Sequence, residues 1–346
     1  MKSKIKNLKP KILLRAPNWL GDNVLVMPAV NALRKAMPDA KITVMVKSSM
    51  ADFWRMTCVD DIIPFSFSKG FKGITERWQF AKKLKKESFD SVLIFPNSFD
   101  SALVPWLAGI PEIVGWPTDG RFFLLNNNFS KPAHLKDKQQ FLTYIYLIEK
   151  WLGKQIQVDA ELSLKIPEIE KEFVKNEIVN SKNPIIGLNP GATYGSAKCW
   201  PAKYFANIAV KIHKEKNANV IIVGGPGDVK VCGEVFDLIK KINSDAGNWC
   251  ENISGKTSIC MLAAWLEQCD FLITNDTGGM HVSAAVGTSV VAIFGPTDWS
   301  STAPLGMNHK LIKTDADCAP CLKRTCPINH HCMTSLTVEK VWNEIE

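Results

Sequence analysis

No apolar run in this sequence approaches the roughly 20 residues that a bilayer span requires; the longest, such as Val290 to Phe294, are the length of a strand. A membrane-spanning helix is therefore not expected. Low-complexity tracts are also absent, and with 46% hydrophobic and 22% charged residues the chain reads as globular, not disordered. The lysines of Met1 to Lys11 lead straight into a strand pattern with no small-residue cleavage site, which argues against a signal peptide and for a cytoplasmic location. No internal repeat of fixed period occurs, which excludes a solenoid. Missing too is a G-x-G-x-x-G after the first apolar run, and with it the fingerprint of a nicotinamide-dependent oxidoreductase.

What is present is an alternation of short β-rich runs with helical patterns, over a length of 346 residues that suits two domains of about 150 each. In the first half Ile12 to Arg15, Ile42 to Val46 and Ser91 to Phe95 read as strands. Val24 to Met37, Trp78 to Lys86 and Leu135 to Leu152 read as helices. A polar, charge-rich stretch from Leu164 to Asn183 separates the halves, and the domains are expected at 1–165 and 166–346. The second half repeats the pattern. Its expected strands are Ile185 to Asn189, Val220 to Val223, Phe271 to Thr274 and Val290 to Phe294. Helices are expected at Lys203 to Lys216, Val229 to Ile242, Ile259 to Gln268 and Gly279 to Ala285. The expected class is α/β, with two parallel-sheet, Rossmann-like domains facing a central cleft and presenting their functional loops at the carboxyl ends of the strands.

Four strand-to-helix junctions carry chemistry-bearing residues. Asn189-Pro190-Gly191-Ala192-Thr193, followed by Lys198 and Trp200-Pro201, offers close backbone approach, a hydroxyl and a point charge suited to a diphosphate. In Gly224-Gly225-Pro226-Gly227-Asp228 the acid Asp228 suits either ribose hydroxyls or a helix N-cap. Asn275-Asp276-Thr277-Gly278-Gly279-Met280-His281 joins an apolar strand to a helix start whose amides form an anion site, with His281 as an added donor. In Pro17-Asn18-Trp19-Leu20-Gly21-Asp22-Asn23, Asp22 is either an N-cap or a carboxylate placed to act as a general base.

The net charge of +8 is unevenly spread: residues 1–165 hold 25 Lys and Arg against 15 Asp and Glu, and residues 166–346 hold 17 against 19. The basic half suits an acidic partner, whether nucleic acid, anionic lipid or an acidic sugar, or is simply a solubilising surface. Of ten cysteines, six are scattered, whereas Cys318, Cys321, Cys326 and Cys332 fall within fifteen residues. That spacing would let four thiolates meet one structural zinc or iron, with His330 or His331 as substitutes; reduced, packed thiols or disulfides fit the same spacing.

The junction motifs together resemble the ADP-heptose:lipopolysaccharide heptosyltransferases, glycosyltransferase family 9, and heptosyltransferase II more than I. The residues carrying the resemblance in the first half are Trp19-x-Gly21-Asp22 and Asn97-Ser98-x-x-Ser101-Ala102-Leu103 with Gly109-Ile110-Pro111. In the second half they are Asn189-Pro190-Gly191-Ala192 with Lys198-x-Trp200-Pro201, and Asn275-Asp276-Thr277-Gly278-x-x-His281 with Phe294-Gly295-Pro296-Thr297. One departure is Ile113-Val114-Gly115, where the family often has Arg before the Ile/Val-Gly pair. The resemblance implies the GT-B architecture, with the N-terminal domain taking the acceptor and the C-terminal domain the nucleotide sugar. It implies inverting transfer of heptose from ADP-heptose to a heptose or Kdo hydroxyl of the lipopolysaccharide inner core, at the inner membrane face, with no nucleic acid partner. By the same resemblance Asp22 is the base, and Thr193, Lys198, Thr277, Gly278, Gly279 and His281 surround the donor diphosphate. Asp228 joins the donor side, Asp276 orders its loop or meets sugar hydroxyls, and Asn18, Ser101 and Arg121 meet the acceptor. No metal is required for catalysis on this reading, and Asp315-Ala316-Asp317 is discounted as a metal motif because Lys198 and helix-start amides would fill that role. Another nucleotide sugar as donor, or a binding module without chemistry, would use the same loops.

Overall fold

A computed structural model of the chain describes residues 9–135, 138–159, 162–178 and 183–345. The lysine-bearing start at 1–8 and residues 179–182 of the charge-rich stretch lie outside them. Two compact units result, Met1–Ala160 and Glu161–Glu346.

The first unit runs β1 (Lys11–Arg15), α1 (Leu20–Ala36), β2 (Lys41–Lys47), α2 (Ala51–Trp54), β3 (Asp61–Phe65), α3 (Gly70–Lys86), β4 (Ser91–Ile94), α4 (Phe99–Leu107), β5 (Glu112–Gly115), β6 (Asn127–Asn128) and α5 (Gln140–Leu152). Its six strands are parallel and ordered β3-β2-β1-β4-β5-β6. Strands β1, β2 and β4 are buried on both faces because helices cover both sides. Their sequences are accordingly continuous apolar runs and do not alternate.

The second unit runs α6 (Glu168–Ile178), β7 (Ile185–Asn189), α7 (Ala202–Lys216), β8 (Asn219–Ile222), α8 (Val229–Ile242), β9 (Cys250–Asn252), α9 (Ile259–Glu267), β10 (Phe271–Asn275), α10 (Gly278–Ala285), β11 (Ser289–Phe294), α11 (Trp299–Thr302), β12 (His309–Lys313), α12 (His331–Thr334) and α13 (Val338–Asn343). The strand order is β12-β11-β10-β7-β8-β9, so with β7 as first strand it repeats the topology of the first unit. Both are doubly wound Rossmann-like sheets, the α/β class expected from the sequence. Helix α8 illustrates the local cause: Cys232, Val235 and Ile239 form one buried stripe at helical spacing, and its lysines face water. In each sheet the strand order reverses between the first and fourth strands, β1/β4 and β7/β10. Ligands of such sheets bind in the crevice beyond the carboxyl ends at that point.

Candidate active site

In the second unit the loops after β7 and β10 flank the switch point, and they are fastened together. Asn275, fully buried at the end of β10, donates from Nδ2 to the Pro190 carbonyl at 2.7 Å and accepts the Trp200 backbone N–H at 2.9 Å. Lys198 Nζ meets Asp276 Oδ2 at 2.6 Å, and the Thr297 hydroxyl donates to the same oxygen at 2.7 Å. The Lys198 and Asp276 side chains are only 12% and 6% exposed, so the charge that the sequence offers to a diphosphate is held by a nearly buried carboxylate. Two glycines permit this packing. A Cβ on Gly191 would collide with the Asp228 carboxylate, and one on Gly279 with the Asn189 amide.

Helix α10 starts at Gly278, with Thr277 as N-cap; helical geometry leaves its first-turn amides without intrahelical acceptors, at the position where the sequence reading expects an anion. His281 is buried beneath this start. Burial pushes its pKa from 6.5 to about 4, against the pull of the Asp276 carboxylate, and Lys198 and His309 push the same way as burial. It is therefore a neutral ring, and its Nδ1 makes no hydrogen bond within the protein. Asp228 occupies the N-cap position of α8 without capping it. Its carboxylate turns back to accept the Gly225 N–H at 3.0 Å, and burial raises its pKa against the lowering effect of that bond. Thr193 is exposed in the loop after β7.

The cysteine-rich segment lies against this same loop. Arg324 carbonyl accepts the Ala197 N–H at 3.0 Å, His330 Nε2 meets the Ala197 carbonyl at 2.7 Å, and Tyr194 donates its hydroxyl to the Leu322 carbonyl at 2.7 Å. The Tyr194 ring has Lys198 Nζ at 4.9 Å and the Arg324 guanidinium at 5.2 Å. Cys318, Cys321, Cys326 and Cys332 are in no disulfide, and among the described residues no group of three or more His, Cys, Asp and Glu is arranged to hold a metal ion. Burial raises the Cys332 thiol to about 11, and the charges of Cys318, Cys326 and Cys321 add to the effect. Asp315 and Asp317 are exposed.

In the first unit Asp22 is the third residue of α1, whose N-cap is Trp19, so the N-cap reading of Asp22 is corrected. Its half-buried carboxylate sits in the first turn, where the helix dipole favours the ionised form, and its charge helps burial to raise the Tyr144 hydroxyl pKa. Asn23 beside it is buried, donates to the carbonyls of Pro17 (3.1 Å) and Trp19 (2.7 Å), and accepts the Trp54 indole N–H at 2.8 Å. Arg15 at the end of β1 is also buried, donates to Asn18 Oδ1 at 3.1 Å and to the Ala16 carbonyl, and lies under the Phe65 ring. Desolvation lowers its pKa to about 10. Arg121 is fully buried below the loop surface. It donates to the carbonyls of Trp116 (2.9 Å) and Ser98 (3.1 Å) and to the Ser101 hydroxyl (2.7 Å), while its Nη2 has no protein partner. Asn18 and Ser101 thus meet the two buried guanidiniums. Sequence reasoning quoted Asn23 and Asn275 in motifs but gave them no role, and missed Arg15, Tyr194 and Arg324; burial marks Arg15 and the two asparagines, long-range contact the other two.

Residues 77–331, well over half the chain, match glycosyltransferase family 9 (heptosyltransferase). The chain belongs to glycosyltransferase family 9. Lipooligosaccharide heptosyltransferase 2 of Campylobacter jejuni (serotype O:6, strain 81116) is 33% identical over 97% of this chain and 98% of its own length. Lipopolysaccharide heptosyltransferase 2 of Escherichia coli K12 is 31% identical over 88% of each. The solved structure of E. coli ADP-heptose lps heptosyltransferase II superposes with a TM-score of 0.81 at 28% identity, covering 97% of both chains. This family 9 transferase therefore has the GT-B class of fold expected from its motifs. Among its described residues no helix is long and apolar enough to cross a membrane.

Proposed function

We propose that this family 9 transferase moves heptose from ADP-heptose to a heptose or Kdo hydroxyl of the lipopolysaccharide inner core with inversion at the anomeric carbon. The observation that carries the reading is the fastened pair of loops at the β7/β10 switch point, where Lys198, Asp276 and Thr297 meet beside the start of α10. A diphosphate set on those first-turn amides would find Lys198 next to it, with Thr193, Thr277, Gly278 and Gly279 around it. Neutral His281 would donate a hydrogen bond from below, and Asp276 would orient Lys198. Asp228 would face the nucleoside end. On this assignment residues 166–346 take the nucleotide sugar and residues 1–165 the acceptor. Asn18 and Ser101 would touch the acceptor, and Arg121, buried beneath them, would shape their loop. The basic charge of that half suits the phosphorylated and carboxylated inner core at the inner membrane face.

The chemistry is one displacement. The acceptor oxygen attacks the anomeric carbon, its proton passes to Asp22, and the bond to the diphosphate breaks with its electron pair leaving on ADP. Lys198 and the helix-start amides meet the charge that develops there, so catalysis on this reading needs no metal. Positioned proton transfer contributes about 10²–10⁴-fold, so Asp22→Asn should lower turnover by that order and leave ADP affinity near wild type. The side chain keeps its size and hydrogen-bonding oxygen, so retention of more than about a third of wild-type turnover would remove Asp22 from the base role.

A further inference from the structure

Helix α3 exposes an apolar stripe that the transferase reaction does not use. Phe71, Ile74 and Trp78 are 86%, 62% and 53% exposed, and their spacing of three and four residues sets them in one row. The buried side of the helix, adjoining this row, is marked by Gly73, Ala81 and Leu84, so the orientation of α3 is fixed by its inner face. The same outer row continues with Lys82, Lys85 and Lys86, all exposed, and the Lys82 ammonium lies 3.3 Å from the centroid of the Trp78 ring. Lys72 and Lys83 are exposed as well. Arg77 is engaged with Asp100 (Nε to Oδ1, 2.6 Å), and the one acid of the helix, Glu76, accepts from the Ser68 backbone and hydroxyl at 2.6 and 2.9 Å. The outward charge of α3 is thus lysine alone.

Topology adds a second indication. The apolar end of α3 follows β3, so it lies at the carboxyl edge of the sheet, the edge that carries the loops of Asp22, Ser101 and Arg121. At that edge the 3-10 turn Arg121–Leu124 also exposes Phe122 and Phe123. Single exposed apolar side chains need no explanation, but an aromatic row prolonged by lysines on one helix is the pattern of a segment that lies in a bilayer interface. A protein groove would suit the apolar row; the lysine continuation selects an anionic surface.

We propose that the outer face of α3, with Phe71, Ile74 and Trp78 inserted and Lys82, Lys85 and Lys86 on the headgroups, docks this enzyme on an anionic bilayer. The inference rests on the reading that the acceptor is lipid-linked, since docking would bring the acceptor loops to the membrane face. The test is co-sedimentation of the full chain with phosphatidylethanolamine vesicles with and without phosphatidylglycerol. Wild type should bind the phosphatidylglycerol vesicles and release in salt. Phe71→Ser, Ile74→Ser and Trp78→Ser together should weaken binding by about 100-fold, and Lys82→Glu with Lys86→Glu should abolish the preference for phosphatidylglycerol. These side chains are exposed, so both variants should keep the wild-type circular dichroism and wild-type turnover on a delipidated, soluble acceptor. A wild type that ignores the vesicles, a serine variant that binds as well as wild type, or a wild-type dimer that the serine variant dissociates in light scattering would overturn the docking surface. Lack of turnover on the soluble acceptor by wild type would instead overturn the functional reading, whatever the vesicles show.

Discussion

The buried pair of Lys198 and Asp276 makes a prediction with two separable readouts. The ions are 2.6 Å apart with side chains 12% and 6% exposed, and among the described residues the Thr297 hydroxyl, at 2.7 Å, is the one further donor to that carboxylate oxygen. Lys198→Met strands that carboxylate with one neutral donor, and breaking a buried pair from one side costs about 3–5 kcal/mol. Asp276→Asn is milder. Its amide can keep Thr297, and Lys198 has the Tyr194 ring at 4.9 Å and some access to water, so a loss of about 1–2 kcal/mol is expected. The double variant leaves no charge to desolvate and should lie close to Asp276→Asn, so the coupling nearly equals the Lys198→Met loss, about 3–5 kcal/mol. Urea unfolding of the four proteins at matched slopes measures it.

ADP affinity then reads the function separately from the fold. A charge-assisted contact to a phosphate is worth about 1.5–3 kcal/mol, so both proteins lacking Lys198 should bind ADP about tenfold or more weakly by calorimetry. Asp276→Asn keeps the ammonium but loses the carboxylate that orients it, so its ADP affinity should fall less than that of the two proteins lacking Lys198. Additive stabilities across the cycle would refute the coupled pair. A double variant with wild-type ADP affinity would refute the phosphate role of Lys198, however stable it proves.

His281 ties stability to pH. Its folded pKa is depressed from 6.5 to about 4, so the unfolded chain binds a proton over that window that the folded chain does not. The stabilisation is complete above pH 6.5 and falls as pH drops toward 4, by up to about 3 kcal/mol. His281→Gln should flatten that part of the pH profile; a variant whose stability runs parallel to wild type from pH 7 to about 4.5 would remove His281 from the account. For the cysteine segment, free thiols are expected. With an aromatic disulfide reagent exposed Cys318 should react first and buried Cys332 last, its pKa being near 11. Purification without chelator should give less than about a tenth of an equivalent of zinc or iron, and a full equivalent, whose removal accelerates Cys332, would replace that expectation with a metal site.

The central strands were legible because a parallel sheet covered on both faces writes itself as unbroken apolar runs. β1, β2, β4, β7, β8, β10 and β11 all fall where such runs occur. The unread strands are β3, β5, β6, β9 and β12. Of these β3, β6, β9 and β12 are edge strands, and β5 carries only Ile113 and Val114 between Glu112 and Gly115, too few for an unbroken apolar run. β3 even contains Pro64, which an edge tolerates and a central strand does not. Helix α6 hides in the stretch read as a polar linker because it buries so little apolar surface: Val174 is the one apolar residue of α6 that is fully buried. The helix expected from Leu135 begins only at Gln140. At the site, the junction loops announced themselves through glycine and polar residues set between a strand and a helix. The pairing of Lys198 with Asp276, across 78 residues, and the seating of the cysteine segment on Ala197, across more than 120, left no local pattern to read.

Both units solve the same positioning problem with the same side chain. A loop at the switch point of a parallel sheet turns some of its carbonyls and amides inward, where they need partners that water cannot supply. Asn23 serves the loop after β1 and Asn275 the loop after β7, each donating to a proline carbonyl through Nδ2 and accepting an N–H through Oδ1. An amide donates and accepts through two atoms set apart; an aspartate would face a carbonyl with a second acceptor, and a leucine would leave both partners unmet. The side chains proposed to act stand directly beside these anchors, Asp22 next to Asn23 and Asp276 next to Asn275, and Asp276 in turn holds Lys198. The proposed displacement would gain most from groups that need not reorganise as charge develops, and these loops are held from within. The outer part of the second unit's loop, around Tyr194, is held by the cysteine segment from the other side, through Leu322, Arg324 and His330.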